Sequence, residues 1–409
     1  MDVKQILKIL EDTAYIRTGG SEQELQCAQY LQACCTAFGL EASLEAFDVD
    51  MATIHDAKLY ADGICIPCKG YLCSGSSEVE APFYYLRNTD PFSLSQCKGK
   101  IVLVDGYLGY WMYRDLLDNG AVGFVTYDGD ANYADHDMDQ RELRSYVSKG
   151  DKIPGVNINA KDAIKLIESD AASAKIVLEQ SEYTGKSHNV VLDMPGEIPQ
   201  YIVFTAHYDS TSLSQGVYDN MSGCVGLLAL AEHFSAKPHR YGLRFVWCGS
   251  EERGLLGAKA YAAQHEQELA DCVLNINLDM IGCTMGKFIA CCTAEEALVS
   301  YISYMAMELG FGMAANQGVY SSDSTPFADK GVPAVSFARI APHNTATIHN
   351  RYDTIAVMNG QQMTDDITFI CAFAQRMACA AKCPVERTIP DSMKEKLDIY
   401  LNRKRAPKK

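Results

Sequence analysis

The sequence predicts a layered α/β domain accompanied by a separate β-rich unit, and three observations carry that expectation. From about residue 185 onward, short apolar runs alternate with longer runs of helical periodicity, the texture of strands and helices packed in layers. Between about 50 and 182 the texture changes to short β-like runs punctuated by Gly, Pro and Asp. The chain has 409 residues, 48% of them hydrophobic, which exceeds the size at which a single core keeps growing.

Taken in order, residues 3–16 set Val3, Ile6, Leu7, Ile9, Leu10 and Ala14 on one helical stripe. Ser21 with Glu24 forms a capping box for a second helix over 22–38, which Gly39 ends. LEASLEAFDVD then alternates as a strand does. The β-rich stretch contains YLCSG, FYYLR, GKIVLVDG, GAVGFVTYDG and KIPGVNINA, with two helix-like runs, YWMYRDLLDNG and AKDAIKLIESDA. His136 lies there in DANYADHDMDQRE, read as a solvated acidic loop. Next, two strands flank the turn signal Pro195-Gly196. Strand and helix alternate through 201–206, 221–235, 242–249, 254–268, 271–279, 286–292, 295–309, 332–338 and 358–381. Past Pro384 come one helix-like stretch, PDSMKEKLDIYLNRKR, and a frayed basic end.

Composition excludes several function classes. A formal net charge of −16 and a pI near 5.0 argue against nucleic acid or an anionic membrane as partner, because both demand a basic surface. The N-terminal apolar stretch is interrupted by acidic residues, so no secretory signal is expected, and no later run is apolar enough to span a bilayer. The 16 cysteines then read as reduced, buried thiols of a cytoplasmic protein. The pair Cys65 and Cys68 lacks a second CxxC and reads the same way.

The chemistry gathers at strand ends. In YIVFTAHYDS, His207 and Asp209 are two apart and share a face, so the carboxylate can reach the imidazole and select its free nitrogen. Asp219 sits in a Gly-flanked loop before an apolar helical run. Alone it is a solvated helix cap; as part of a site, its two oxygens can bridge two cations. LRFVWCGSEERGLLG ends a buried strand in Glu251 and Glu252, which point differently, so one can bind a cation while the other takes a proton from water. Asp279 follows an apolar run and precedes a Gly turn, where an unpaired carboxylate is costly. His349, in TIHNRYDT, is a surface histidine or a further ligand. Nitrogen donors with carboxylate oxygens suit zinc, with cobalt or manganese as substitutes.

The motifs HYD, YDNMSG, SEERGLLGAKAY, NLDMIG and IHNRYDT, in this order, resemble the co-catalytic zinc peptidases of clan MH, such as bacterial leucyl aminopeptidases and glutamate carboxypeptidase. The resemblance covers residues 1–48 and about 185–385, RTGGSEQE included, and implies a three-layer domain with a mixed central sheet flanked by helices, over 1–48 and 185–409. It implies two zinc ions: His207, Asp219 and Asp279 on one, Asp219, Glu252 and His349 on the other, with Glu251 as general base, Asp209 orienting His207 and a cis peptide after Asp219. CKGKIVLVDG and NGAVGFVTYDG make 50–182 similar to an inserted protease-associated domain. SSDSTPFADKGVPAVSF is similar to the segment that brings an aspartate, here Asp323, near the substrate pocket. The implied activity is hydrolysis of a terminal peptide bond of small peptides, foremost by an aminopeptidase. Carboxypeptidase, dipeptidase and a non-catalytic scaffold stay open. Arg339, His343 and Asn344 lie between the strand at 332–338 and His349 and are candidates to line the substrate pocket, where Arg339 either binds a substrate carboxylate or forms a structural ion pair. Oligomeric state is not legible.

Overall fold

A computed structural model describes residues 1–407; Lys408 and Lys409, the end of the basic tail, lie outside the described residues. The chain divides into two compact units, Met1–Phe47 with Lys186–Lys409, and Asp48–Gly185.

In the first unit the strand Ile198–His207 is central. It pairs in parallel with Tyr241–Cys248 on one side and Cys272–Leu278 on the other, and Ala334–Ile340 continues the parallel set beyond Cys272–Leu278. Four parallel strands therefore end at the same edge of the sheet, and their following loops are delivered there together. Lys287–Thr293 runs antiparallel to Ala334–Ile340 and carries Ala314–Gln317 at its far side, while residues 190–194 lie antiparallel to Tyr241–Cys248, so the sheet is mixed. Side chains alternate across it. Ile202, Phe204 and Ala206 face a core shared with the helices Val3–Asp12, Glu22–Ala37, Ser222–Ser235 and Gly360–Ala378. Tyr201 and Val203 face a second core with Ala258, Tyr261 and Phe327, from the helices Leu256–Gln264 and Ser324–Asp329. The result is helix, sheet and helix in three layers. Gly223 lets the helix Ser222–Ser235 lie close: a Cβ there would stand 2.3 Å from the Leu278 carbonyl.

The second unit has its own two apolar cores. Ser77–Tyr85, Ile101–Leu103, Gly123–Asp128 and Gly155–Asn159 pair in parallel in that order, joined by connections that include the helix Tyr110–Asp118. Among the described residues no helix is long and apolar enough to cross a membrane.

Several elements differ from the sequence reading. The first helix stops at Asp12 rather than near residue 16, because the Arg17 guanidinium takes the carbonyls of Thr13 and Tyr15 at 3.0 Å and turns the chain. The capping box is half formed: Ser21 Oγ accepts from the Glu24 amide at 3.1 Å, but the Glu24 carboxylate turns elsewhere. The helix Ser324–Asp329 and the short strand Ala314–Gln317 carry too little periodicity to be expected. Eleven cysteines are buried, but Cys65 and Cys379 are exposed.

Candidate metal centre

Each predicted ligand hangs on the end of a strand or on the loop just beyond it. His207 is the last residue of its strand and Asp279 follows Leu278 directly. Glu251 and Glu252 come after a turn through Ser250, and His349 comes from the loop beyond Ile340. Asp219 lies in the irregular turn before the helix Ser222–Ser235, and the Asp219–Asn220 peptide is cis.

These residues converge into two clusters that share one carboxylate: His207, Asp219 and Asp279, and Asp219, Glu252 and His349. Asp219 faces the clusters with different oxygens, Oδ1 being 3.2 Å from His207 Nε2 and Oδ2 3.1 Å from His349 Nε2. Asp279 Oδ1 is 3.8 Å from His207 Nε2, and Glu252 Oε1 is 3.1 Å from His349 Nε2. Glu251 stands beside the first set, its Oε2 4.0 Å from His207 Nε2. The first cluster is buried, whereas the His349 side chain is 45% exposed, so the centre opens to solvent on that side.

Burial and mutual contact shift the protonation of these groups. Burial pushes the Asp219 carboxyl up, and the two histidines outweigh it and hold it well below the usual range. Burial also pulls His349 down, but Glu252 and Asp219 raise it to about 11. Burial lifts Glu251 well above its ordinary value, against the pull of His207 and with repulsion from Glu252, Asp323 and Asp279. Asp279 Oδ1 is buried with no hydrogen-bond partner. An orphaned oxygen, a shared carboxylate and two imidazoles whose free nitrogens point at carboxylates make a donor set that fits two divalent cations.

Three residues outside the predicted set hold this geometry. Asp353 is fully buried and accepts from the amides of Tyr218 at 2.7 Å and Asp219 at 3.1 Å, and from Ser214 Oγ at 3.1 Å. Burial raises it to about 6. Asn220 ties the Asp219 turn to the Asp279 loop, donating to the Leu278 carbonyl at 2.9 Å and accepting from Gly223 and Met280 at 3.0 Å. Arg17 is buried with its guanidinium on main-chain carbonyls, among them Tyr208, Gln215 and Gly216, and so pins the loop between His207 and Asp219. Four residues after His349, Asp353 carries a signal in the sequence; Asn220 and Arg17 lie inside the motifs YDNMSG and RTGGSEQE, but nothing in their spacing shows which groups they hold.

Asp209 does more than face His207. Its oxygens accept from the amides of Glu251 at 2.8 Å and Glu252 at 3.1 Å, and Oδ1 stands 3.5 Å from His207 Nδ1, longer than a normal hydrogen bond. The substrate candidates fare differently. Arg339 is a structural residue: its Nε and Nη2 meet Asp366 at 2.5–3.1 Å, Nη1 donates to Gly286, and the pair is buried, so it is not presented to a ligand. Asp323 does not line an open pocket. It is fully buried, with neither oxygen hydrogen-bonded, and burial lifts it to about 7. His343 and Asn344 are exposed.

Comparison with known proteins places part of the chain among the peptidases. Residues 189–373 match the sequence profile described as Peptidase family M28. Aminopeptidase YwaD of Bacillus subtilis (strain 168) is 30% identical over 263 residues, covering 61% of this chain and 56% of the relative, so the chain spans little more than half of that protein's length. The aminopeptidase from Aneurinibacillus sp. strain AM-1 superposes with a TM-score of 0.76 at 21% identity, covering 94% of this chain and 96% of that one. BSAP, a zinc aminopeptidase from Bacillus subtilis, gives a TM-score of 0.76 at 22% identity, covering 95% and 98%. At such identities the superpositions establish the fold. The segment 189–373, which matches the profile of peptidase family M28, holds both clusters and Glu251.

Proposed function

We propose that this chain is a di-zinc aminopeptidase that removes N-terminal residues from small peptides. The observation that carries the reading is the pair of three-residue clusters sharing Asp219, with the Glu251 carboxylate beside His207. His207, Asp219 and Asp279 would hold one zinc, and Asp219, Glu252 and His349 the other, with cobalt or manganese as substitutes. When bound, the two ions supply Lewis acidity toward the scissile carbonyl and acidify water. Asp219 and the histidines set the positions of the donors, and Asp209 holds the amides of Glu251 and Glu252 so that the two carboxylates diverge. Glu251, beside His207, takes the proton of the attacking water and returns it to the leaving amine.

Two points favour an aminopeptidase over a carboxypeptidase. The relatives named above are aminopeptidases, and Arg339, the guanidinium that would have served a substrate carboxylate, is engaged by Asp366. Residues 48–185 are the inserted protease-associated domain on this reading, supported by the adjacent parallel strands Ile101–Leu103 and Gly123–Asp128 that its two motifs form. The proposed location is cytoplasmic.

The test is a panel of aminoacyl-arylamides and N-blocked dipeptides, assayed after chelation and after zinc is restored. The expected result is cleavage of the free-amine substrates only, returning as two equivalents of zinc bind. Glu251→Gln should keep both ions and lower kcat by about three orders of magnitude or more, as expected for loss of a general base. Two bound equivalents with neither panel cleaved would make the chain a binding protein and overturn the reading.

A further inference from the structure

The turn that carries Glu251 and Glu252 is held at three consecutive amides. Asp209 takes the second and third. The first, that of Ser250, belongs to Glu24, a residue from the start of the helix Glu22–Ala37, 226 positions away in sequence. Glu24 Oε1 accepts from the Ser250 amide at 2.8 Å, from Ser250 Oγ at 3.1 Å and from Ser187 Oγ at 2.9 Å, while Oε2 accepts from the Gly20 amide at 2.6 Å. The carboxylate is buried, and space around it is kept open by glycines: a Cβ on Gly249 would stand 2.6 Å from Ser187 Oγ and 3.0 Å from Glu24 Oε1, and one on Gly19 2.5 Å from Ser250 Oγ. Ser250 itself has φ of 53°, a left-handed conformation that a serine seldom adopts unless its neighbours hold it. The residue after it is Glu251.

We propose that Glu24 is a positioning residue for catalysis: by fixing the Ser250 amide and hydroxyl it aims the Glu251 carboxylate at the metal centre, although it touches neither substrate nor metal ligand. The inference rests on the peptidase reading. Its content is that an acceptor oxygen of the right reach, rather than a further charge, is what the turn requires. A side chain one methylene shorter leaves the Ser250 amide unsatisfied and lets the turn relax. A glutamine keeps an oxygen on Ser250 and gives up only the Gly20 contact, since both serine hydroxyls can rotate to suit it.

The experiment compares wild type with Glu24→Asp, Glu24→Met and Glu24→Gln on an aminoacyl-arylamide. Zinc content and thermal unfolding are measured on the same preparations. Glu24→Met fills the same space without an acceptor and serves if the aspartate variant does not fold. We expect each folded Asp or Met variant to hold two zinc ions and lose about tenfold or more in kcat with KM within about twofold, while Glu24→Gln stays within about fivefold of wild type. In a Glu251→Gln background, the change at Glu24 should have no further effect on kcat. A folded, metal-loaded Asp or Met variant with wild-type kcat overturns the inference, as does a loss of activity that merely follows loss of zinc. If wild type itself does not cleave the substrate, the peptidase reading has failed instead.

Discussion

Asp209 offers the sharpest prediction, because one buried carboxylate serves two tasks that can be read separately. Removing it in Asp209→Ala takes the acceptor from two partly buried amides, those of Glu251 and Glu252, at 2.8 and 3.1 Å. A hydrogen bond to a charged group contributes about 1.5–3 kcal/mol, so the metal-free protein should lose about 3 kcal/mol or more, even after relief of one buried charge is allowed for. Asp209→Asn keeps one acceptor and presents an N–H to the other amide, so it should lose about half as much. The second task is on the other side, where Asp209 stands 3.5 Å from His207 Nδ1. Loss of that carboxylate should weaken zinc binding about 10–100-fold. Urea unfolding in the presence of chelator reads the first effect, and competition with a chromophoric chelator reads the second. An Asp209→Ala protein that unfolds at the wild-type midpoint and binds zinc with unchanged affinity would refute the reasoning.

Two further outcomes follow from the same geometry. His349 is raised to about 11 and His207 well above its ordinary value in the metal-free protein, so at neutral pH both carry protons that a bound cation must displace. Zinc affinity should therefore climb as pH rises and weaken as it falls, with about two protons released at pH 7; calorimetry in buffers of different ionisation enthalpy counts them, and release of none would contradict the assignment. Arg339→Met leaves Asp366 buried without its partner and should destabilise the protein by about 3–5 kcal/mol, with no change in the choice between free-amine and N-blocked substrates. A switch in that choice would restore Arg339 to the substrate site.

Much of the centre was legible in sequence because its residues sit where the chain announces them. An apolar run marks a strand, parallel strands deliver their following residues to one edge, and His207, Glu251, Glu252 and Asp279 each follow such a run. His349 follows its strand only after a loop, and there the ordered motifs had to supply what periodicity could not. Asp353 was visible as a neighbour of His349, but its partners, the amides of Tyr218 and Asp219, are 134–135 residues away.

By itself the sequence determined the layered α/β class, the acidic character, and which side chains have the chemistry to hold cations, since each depends on composition, periodicity or short-range order. Tertiary structure alone decided which acceptor each side chain would meet. Arg339 could have faced a ligand or an aspartate, and Asp366, on a distant helix, settled it. Glu24 had the pattern of a local cap and instead crosses to Ser250. A buried carboxylate takes whichever donors folding brings within reach, and that choice is made by packing between elements far apart in the chain, where no local pattern records it.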